Sequence, residues 1–343
     1  MNKKLKIGVI GSGNFGIAMS NILTYNNEVL LYARNKNNVD LVNTEHKLKN
    51  QNIAKKVTAT NDLQQIANEC KLIFIFIPSS FFKEMLLELA QYLTPEHILI
   101  HGTKGLHLDK NINEIQSLNK EEVLTMSELI LKETSVVRVG CMAGPNLASE
   151  INAGQIAGTV IASRFDEVIK EGKKALDCPL FRVYGSYETI SVELAGVLKN
   201  YIAIASGMLS GMGFGDNSKA LLITRGMAEM IYFGKAMGTS EKAFLGLAGI
   251  GDLVATCNSK LSRNYRVGLY LAQGKKMNTI LEELGEVAEG VKTIKIVKLL
   301  AQYNFNSPIA DTLYKIIYED WDIKQGMEYL MHLPVSYDVD YVN

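Results

Sequence analysis

Short apolar runs alternate with helical patterns through the first half of the chain. The runs have three to seven residues, are rich in Val and Ile, and are mostly apolar at successive positions, which is typical of strands buried on both faces of a parallel sheet. Strands separated by helices predict an α/β fold with a doubly wound parallel sheet. The predicted strands are Lys6–Ile10, Glu28–Ala33, Val57–Thr60, Leu72–Ile77, Ile98–Ile100, Val136–Met142 and Gly158–Ala162.

The pattern changes after about Tyr184, where strand signals end and long helical patterns rich in Ala, Leu, Met and Gly begin. This change predicts an α/β domain over residues 1–186 and an all-α domain over residues 187–343. Within the second domain, Gly207–Ser218 is predicted as a helix end and a flexible loop, with one of its last three residues as the N-cap of the next helix. A small-residue face for helix packing is the alternative for this segment.

A glycine-rich turn, Gly11-Ser-Gly13-Asn-Phe-Gly16, lies between the first predicted strand and a helical pattern over Ile17–Leu23. In a strand–turn–helix unit, Gly11 would allow the tight turn, Gly13 would let a pyrophosphate approach the backbone, and Gly16 would let the helix pack closely on the strand. The helix start also offers N–H groups and a positive dipole to phosphates. We predict a dinucleotide site here, although a glycine-rich surface turn has the same pattern. Its predicted contacts are Gly11, Ser12, Gly13, Asn14, Phe15 and Gly16.

The second predicted strand continues into Arg34-Asn-Lys36 and carries no acidic residue at its end. NAD-specific sites often place Asp or Glu there, where the carboxylate bonds the ribose 2′-hydroxyl and repels a 2′-phosphate. Arg34 can instead stack on adenine and donate to the phosphate, with Lys36 as a second charge. We predict that NADPH is used at least as well as NADH; the alternative is an exposed basic loop.

The composition excludes several other classes of protein. Thirty-six basic residues balance thirty-six acidic ones, so no overall field draws the chain to nucleic acid or to an anionic membrane. The first predicted strand begins so early that it leaves no room for a signal peptide, and no apolar run approaches the roughly 18 residues of a membrane helix. We therefore predict a cytoplasmic protein without a transmembrane segment.

Cysteine and histidine usage predicts no metal site. The cysteines Cys70, Cys141, Cys178 and Cys257 are widely scattered without Cys-x-x-Cys spacing, which argues against a disulfide framework and against a thiolate metal site. The five histidines show no metal motif. We expect buried, reduced thiols and no bound metal.

Several polar motifs follow predicted strands or stand in the helical half. Thr103-Lys104-Gly105 and Gly144-Pro-Asn146-Leu-Ala148-Ser-Glu150 follow the fifth and sixth strands, where ligands of α/β sheets gather. A lysine facing a dinucleotide is typical of a dehydrogenase. The helical half adds further lysine, acid, hydroxyl, guanidinium and amide groups in Leu198-Lys199-Asn200, Gly251-Asp252-Leu-Val-Ala-Thr256-Cys and Ser262-Arg263-Asn264.

These motifs follow one another in the order found in the bacterial NAD(P)-dependent glycerol-3-phosphate dehydrogenases. The chain resembles that family over nearly its whole length. The resemblance implies a Rossmann-type domain followed by an all-helical substrate domain, often as a homodimer. It also implies reversible reduction of dihydroxyacetone phosphate to sn-glycerol 3-phosphate by NADPH or NADH, which supplies phospholipid synthesis. Besides the motifs already quoted, the resemblance rests on Gly215-Asp-Asn, Thr224-Arg-Gly and Val287-Ala-Glu289-Gly290.

The resemblance implies roles for single residues. Lys199 is the implied general acid and base, because hydride transfer to a ketone builds negative charge on its oxygen, which needs a proton donor. Burial or a nearby positive charge such as Lys104 would lower the pKa of Lys199 for the reverse direction. Arg263 would hold the phosphate through its planar guanidinium. The implied catalytic residues are Lys199, Lys104, Asp252 and Thr256; the implied substrate contacts are Lys104, Gly144, Asn146, Lys199, Asn200, Asp252, Ser262, Arg263 and Asn264; the further cofactor contacts are Arg34, Lys104, Ala148, Arg263, Val287 and Glu289.

Some interpretations stay open from the sequence. Asn146 stands where the family commonly carries Ser or Thr, so its substrate contact is open, although an amide can also donate. Arg225, four residues before Glu229, is predicted to be structural rather than catalytic, either as an i,i+4 partner of Glu229 or as a tie between domains. Another lysine-using two-domain dehydrogenase, of the hydroxyacid, 6-phosphogluconate or ketopantoate type, is the nearest alternative. A non-catalytic nicotinamide-sensing module is another, but it would have no reason to keep all the charged residues above.

Overall fold

The computed structural model describes residues 6–112, 114–285, 288–304 and 307–333, and its backbone divides into two compact units. The first unit comprises the residues up to 107 together with 125–192, and the second comprises 108–124 and the residues from 193 onward. The boundary predicted after residue 186 stays a prediction. Nothing in the sequence pattern indicates that residues 108–124 belong with the second unit.

The described chain has its strands within residues 6–186 and helices throughout. The strands are β1 (Lys6–Ile10), β2 (Glu28–Tyr32), β3 (Lys47–Leu48), β4 (Gln51–Asn52), β5 (Val57–Thr60), β6 (Leu72–Ile75), β7 (Ile98–His101), β8 (Arg138–Ala143), β9 (Ala157–Ser163) and β10 (Phe181–Ser186). The helices are α1 (Asn14–Leu23), α2 (Lys36–Glu45), α3 (Leu63–Glu69), α4 (Phe82–Ala90), α5 (Met126–Glu133), α6 (Ala148–Asn152), α7 (Asp166–Leu176), α8 (Thr189–Gly211), α9 (Asp216–Ala236), α10 (Asp252–Asn258), α11 (Arg263–Ala272), α12 (Met277–Leu284), α13 (Glu289–Asn304), α14 (Pro308–Tyr318) and α15 (Ile323–Met331).

Eight strands of the first unit form one sheet in the order β10-β9-β8-β7-β6-β1-β2-β5. From β8 to β5 all neighbouring strands are parallel. The central strands β6 and β7 are buried along their whole length, as expected when both faces of a sheet are covered. The strand order reverses between β1 and β6, which makes the carboxyl ends of these strands the switch point where α/β sheets bind ligands. The predicted doubly wound fold is confirmed.

The sequence pattern predicts a wholly parallel sheet, and this is wrong at one place, because β9 runs antiparallel to β8. The connection between them contains only α6, whose five residues rise about 7.5 Å. The six residues of β8 extend about 20 Å. A helix this short covers only part of that distance, and β9 instead runs back beside β8.

The edge strand β10 is not among the predicted strands. Phe181 and Val183 are buried in it, whereas Arg182 and Tyr184 are exposed, an alternation typical of a strand covered on one face. Because only two apolar residues alternate, the run does not stand out from the helical pattern that follows it. β10 lies parallel to β9 and ends the sheet on that side.

In the second unit, α8 runs unbroken to Gly211, so the loop interpretation of Gly207–Ser218 is wrong for residues 207–211. A Cβ atom on Gly207 would lie 2.0 Å from the carbonyl oxygen of Tyr265, and one on Gly268 would lie 1.8 Å from that of Ile204. These two glycines let α8 and α11 pack with their backbones in contact. At Gly207 the segment therefore forms the small-residue packing face that was the alternative interpretation. The N-cap of α9 is Gly215 and not one of the three polar residues after it, which already lie in the helix.

Among the described residues, α8 is also the one helix long and apolar enough to cross a membrane, with a mean hydropathy of 1.2 over 18 residues. That stretch is entirely buried within the protein. The core helix of a globular domain has the same length and composition, so this feature is weak evidence for a membrane span.

The four cysteines are free and buried, as predicted. Burial raises the pKa of the Cys70 and Cys257 thiols to about 12. Since the thiolate is the reactive form, these two side chains behave as small apolar groups of the core.

Candidate active site

The glycine-rich turn lies at the switch point of the sheet, directly beyond β1. Gly11 has a φ of 125°, which only glycine adopts readily, and a Cβ atom there would lie 2.3 Å from the carbonyl oxygen of Phe76 beyond β6. A Cβ atom on Gly16 would lie 1.7 Å from the carbonyl oxygen of Gly11. Any larger residue at these two positions would push α1 and the end of β6 away from the turn.

Around Gly13, in contrast, the backbone is open. Its chain neighbours apart, no atom of the described residues lies within 4 Å of the point a Cβ atom would take. Gly13 is the N-cap of α1 and offers no side chain to its first N–H groups, which leaves them for a ligand. An open backbone beside the positive end of a helix fits the pyrophosphate of a dinucleotide.

The side chains of the turn contact the rest of the first unit. The Oδ1 atom of Asn14 accepts a hydrogen bond from Nε2 of Gln51 at 2.9 Å, and Oε1 of Gln51 accepts one from Nδ2 of Asn152 at 2.8 Å. The ring of Phe15 stands edge-on to that of Phe76, with centroids 5.0 Å apart. These contacts fix the turn against β4, α6 and the end of β6. That Asn14 and Phe15 also contact the cofactor stays a prediction, as it does for Ser12.

The loops beyond β6, β7 and β8 are joined by side chains of the Thr103-Lys104 motif. The Thr103 hydroxyl donates to the carbonyl oxygen of Ile77 at 2.8 Å. The Lys104 ammonium donates to the carbonyl oxygen of Gly144 at 3.4 Å, a long contact that a ligand oxygen could replace. The structure thus brings Lys104 and Gly144 together beyond the carboxyl ends of β7 and β8. Their contact with substrate stays a prediction.

Asn146 has a structural contact of its own. Its Nδ2 donates to the carbonyl oxygen of Gly158 at 2.8 Å and so closes the connection between β8 and β9. A shorter Ser or Thr side chain would not span this distance in the same way. Ala148, two residues later, is the first residue of α6 and packs against the core of the first unit.

Arg34 lies just beyond β2 and is largely exposed, with 71% of its side chain accessible. Asn35 caps α2, its Oδ1 accepting the N–H of Asn37 at 2.8 Å, and Lys36 begins that helix. The guanidinium of Arg34 lies 4.0 Å from the carboxylate of Glu84 on α4. The end of β2 therefore carries the positive charge of Arg34, with the Glu84 carboxylate of α4 as its acidic neighbour.

In the second unit, Lys199, Asp252 and Thr256 form one buried cluster. The Lys199 ammonium donates to the Thr256 hydroxyl at 2.5 Å and lies 3.0 Å from Oδ1 of Asp252. The Thr256 hydroxyl in turn donates to the backbone carbonyl of Asp252 at 2.6 Å. Asp252 and Thr256 stand four residues apart on α10, so their side chains share one face.

Two features beside the Lys199 cluster were not predicted from the sequence. A π-helical turn, Leu247–Gly251, directly precedes Asp252, and such turns are frequent at functional sites. Ser206 lies two turns after Lys199 and donates to the carbonyl oxygen of Cys257 at 2.7 Å. The signal for Ser206 was its spacing of seven residues from Lys199, which places both on one face of α8.

The Ser262-Arg263-Asn264 motif begins α11. Ser262 is its N-cap, and its hydroxyl accepts the N–H of Tyr265 at 3.3 Å. Arg263 and Asn264 occupy the first turn of this ten-residue helix, Arg263 exposed and Asn264 buried. A guanidinium beside a helix N-terminus provides charge and N–H donors for a phosphate.

Asn264 also joins the start of α13 to this motif. Its Oδ1 accepts the N–H of Gly290 at 3.1 Å, and a Cβ atom on Gly290 would lie 2.9 Å from the carbonyl oxygen of Asn200. Glu289, a predicted cofactor contact, is the first residue of α13 and therefore lies beside this packing point. Val287, the other predicted cofactor contact of this segment, lies outside the described residues.

Within the part of the chain that the structure describes, no group of three or more His, Cys, Asp or Glu side chains is arranged to hold a metal ion. The described clusters instead consist of lysine, carboxylate, hydroxyl and amide groups. These groups bind and protonate organic oxyanions without a metal.

Comparison with known proteins decides the family. The models of the N-terminal and C-terminal domains of NAD-dependent glycerol-3-phosphate dehydrogenase match residues 6–169 and 188–328. A curated Alcanivorax borkumensis protein named glycerol-3-phosphate dehydrogenase (NAD(P)+) is 38% identical over 99% of this chain and 97% of its own length. A Pseudomonas fluorescens protein of the same name is 37% identical over 100% of this chain and 95% of its own. This chain belongs to the NAD-dependent glycerol-3-phosphate dehydrogenase family.

Solved structures agree with this assignment. The crystal structure of glycerol-3-phosphate dehydrogenase from Coxiella burnetii superposes with a TM-score of 0.86 at 30% identity, covering 96% of this chain and 99% of that one. The yeast glycerol-3-phosphate dehydrogenase shares the fold, with a TM-score of 0.81 at 23% identity over 96% of this chain and all of its own. The predicted resemblance, the Rossmann-type domain with a helical domain after it, and the oxidoreductase class are confirmed.

Membership of the glycerol-3-phosphate dehydrogenase family implies a nicotinamide cofactor, and the open glycine turn at the switch point fits one. D-Mandelate dehydrogenase, a hydroxyacid enzyme, reaches a TM-score of 0.55 at 14% identity, which shows a shared fold alone. The alternative of a hydroxyacid or ketopantoate-type dehydrogenase is therefore not favoured.

Proposed function

We propose that this protein catalyses the reversible reduction of dihydroxyacetone phosphate to sn-glycerol 3-phosphate, with Lys199 as the general acid and base. The observation that supports this proposal most directly is the buried Lys199–Asp252–Thr256 cluster in a chain whose whole length matches glycerol-3-phosphate dehydrogenases. The bound nicotinamide cofactor, NADPH or NADH, supplies the hydride in reduction and accepts it in oxidation. The remaining steps belong to side chains of this chain.

Lys199 moves the proton. In reduction, negative charge develops on the carbonyl oxygen of the ketone, and the Lys199 ammonium donates a proton to it. The Asp252 carboxylate pairs with the ammonium before the transfer, and the Thr256 hydroxyl accepts one of its N–H groups and so fixes its direction. In oxidation the neutral amine accepts the proton of the alcohol. The cluster is rigid because all three side chains are buried.

Arg263 and the first turn of α11 hold the phosphate of the substrate. A dianion needs charged donors, and the exposed guanidinium together with the positive end of the helix dipole supplies favourable charge for it. The buried Asn264 adds an amide nitrogen as a further donor, since its oxygen already accepts the N–H of Gly290. Asn200, Ser262, Lys104, Gly144 and Asn146 are proposed as further substrate contacts, and Ala148, Val287 and Glu289 as further cofactor contacts.

We also propose a cytoplasmic homodimer that supplies glycerol 3-phosphate for phospholipid synthesis. Support for this wider role comes from the family to which the chain belongs, and the neutral overall charge agrees with it because no charged partner is attracted. Sedimentation of the purified protein would test the dimer.

The experiment that tests the proposed function follows the loss of reduced nicotinamide absorbance with different ketones. We expect turnover with dihydroxyacetone phosphate and very little with unphosphorylated dihydroxyacetone at the same concentration, because only the former has a dianion for Arg263. Ketopantoate and other 2-keto acids serve as controls for the alternative enzymes. Comparable turnover with both forms of dihydroxyacetone would contradict the phosphate site, and turnover with a 2-keto acid alone would contradict the proposed substrate.

We expect Arg263→Ala to raise the KM for dihydroxyacetone phosphate while kcat changes little. Losing a charge-assisted hydrogen bond of about 1.5–3 kcal/mol corresponds to a rise of about ten- to a hundredfold. Lys260→Ala removes a neighbouring exposed cation and is the matched control, with an unchanged KM expected. An Arg263→Ala enzyme with a normal KM and a lowered kcat would show that Arg263 acts on the transition state and not as a ground-state anchor.

A further inference from the structure

The end of β2 carries no acidic residue of its own, but the fold brings one to it. Glu84 lies in the first turn of α4, fifty residues after Arg34 in the sequence. Its Oε2 atom lies 4.0 Å from the Arg34 guanidinium, and both side chains are exposed, at 63% and 71%. Arg34 is therefore not a lone positive charge at the predicted ribose site.

Other carboxylates lie around the same strand end. Burial raises the pKa of Tyr32, the last residue of β2; Glu88 and Asp62 raise it further, whereas Arg34 lowers it. Glu88 stands four residues after Glu84, so both carboxylates are on one face of α4. The ribose end of the predicted cofactor site thus contains acidic groups from α4 and α3 as well as the basic groups of the β2 end.

We propose that Glu84 sets the preference between NADP and NAD by holding the guanidinium of Arg34; this inference rests on the proposed nicotinamide site. A 2′-phosphate must compete with the Glu84 carboxylate for Arg34 and then remain beside that carboxylate. The 2′-hydroxyl of NAD carries no charge and meets neither cost. Glu84 thereby performs from α4 the discrimination that an acidic residue at the end of the second strand performs in NAD-specific folds.

The size of the effect follows from the exposure of the pair. An exposed ion pair contributes only a small free energy, and a carboxylate near a phosphate dianion in a high dielectric adds a repulsion of similar size. Together these effects correspond to about three- to tenfold in affinity for the phosphorylated cofactor. Salt screens both, so the preference should weaken as ionic strength rises.

Direct binding of NADPH and of NADH to the whole protein, followed by calorimetry without substrate, tests this inference. We expect Glu84→Gln to lower the Kd of NADPH by about three- to tenfold and to leave that of NADH within about twofold. Asp166→Asn is the matched control, because it removes an exposed carboxylate that pairs with Lys170 instead. It should change neither Kd.

Arg34 variants separate the mechanism from simple repulsion. We expect Arg34→Ala to raise the Kd of NADPH about tenfold with little change for NADH, as for the loss of one charge-assisted contact. In that background Glu84→Gln should improve the ratio of the two Kd values clearly less than in the unmodified protein, because only the direct repulsion of the phosphate is left to relieve. An unchanged ratio in Glu84→Gln alone, an equal gain in both backgrounds, or equal losses of NADH and NADPH in Arg34→Ala would each overturn the inference. Failure of the unmodified protein to bind either cofactor would overturn the proposed function along with it.

Discussion

We expect Lys199→Met to lower kcat for dihydroxyacetone phosphate reduction by on the order of a hundredfold or more, because general acid–base groups contribute about 10²–10⁴-fold. Methionine keeps most of the length of the side chain but carries no proton to donate. Cofactor binding should stay intact, since the glycine turn belongs to the first unit and Lys199 to the second. The kcat and the Kd of NADPH measure the two expectations separately.

The buried Asp252 complicates this variant. Once Lys199 is removed, the buried carboxylate of Asp252 loses its ammonium partner, which typically costs about 3–5 kcal/mol of stability. A Lys199→Met, Asp252→Asn double variant removes that charge and should be folded but equally inactive. Lys242→Met, an exposed lysine of the second unit, is the control with normal activity. A folded double variant with near-normal kcat would remove Lys199 from the mechanism.

Local patterns predicted those parts of the fold that depend on neighbouring residues. The glycine turn was predictable because its strand, turn and helix are contiguous, and the steric contacts of Gly11 and Gly16 agree with the reasons given for them. The antiparallel course of β9 was not predictable from the sequence. It goes with the short length of α6, and hydrophobic periodicity cannot define the length of a helix of only five residues.

Contacts between distant segments were least accessible to sequence reasoning. Asp252 and Thr256 share a helix face by their spacing alone, but their meeting with Lys199 depends on how α8 and α10 pack, which only the family resemblance indicated. The same is true of the Glu84 carboxylate near Arg34. The guanidinium of Arg225 donates to the carbonyl oxygens of Leu330 and Leu333 and not to Glu229, so the predicted i,i+4 pairing is wrong, whereas its structural rather than catalytic role stays a prediction.

Glu229 is a buried carboxyl group outside the proposed reaction. It lies in α9, and its oxygens accept hydrogen bonds from the N–H groups of Ile309 and Ala310, in the first turn of α14, at 2.8 and 3.1 Å. The Tyr201 hydroxyl donates to it at 3.1 Å. Burial nevertheless raises the pKa of Glu229 from its ordinary value of 4.5 to about 7, because these donors compensate only part of the lost hydration.

This raised pKa makes stability depend on pH near neutrality. Between pH 4.5 and 7 the folded protein binds more protons at Glu229 than the unfolded chain, so the free energy of unfolding falls as the pH rises through that range. We expect this group to lower it by about 2–3 kcal/mol between pH 5 and pH 8. Glu229→Gln cannot titrate, and its altered hydrogen bonding shifts stability by the same amount at every pH. The stability of the unmodified protein relative to Glu229→Gln should therefore fall by that amount across the range.

Urea unfolding at several pH values, followed by the fluorescence of the single tryptophan, Trp321, measures this difference in the second unit. Glu282→Gln, which alters an exposed glutamate on α12, should keep the pH dependence of the unmodified protein. The subtraction matters because histidines and other carboxylates also titrate between pH 5 and pH 8, and they contribute equally to all three proteins. A constant difference between the unmodified protein and Glu229→Gln would mean that Glu229 is ionised in the folded state throughout the range, and that the N–H groups of α14 and the Tyr201 hydroxyl compensate its burial in full.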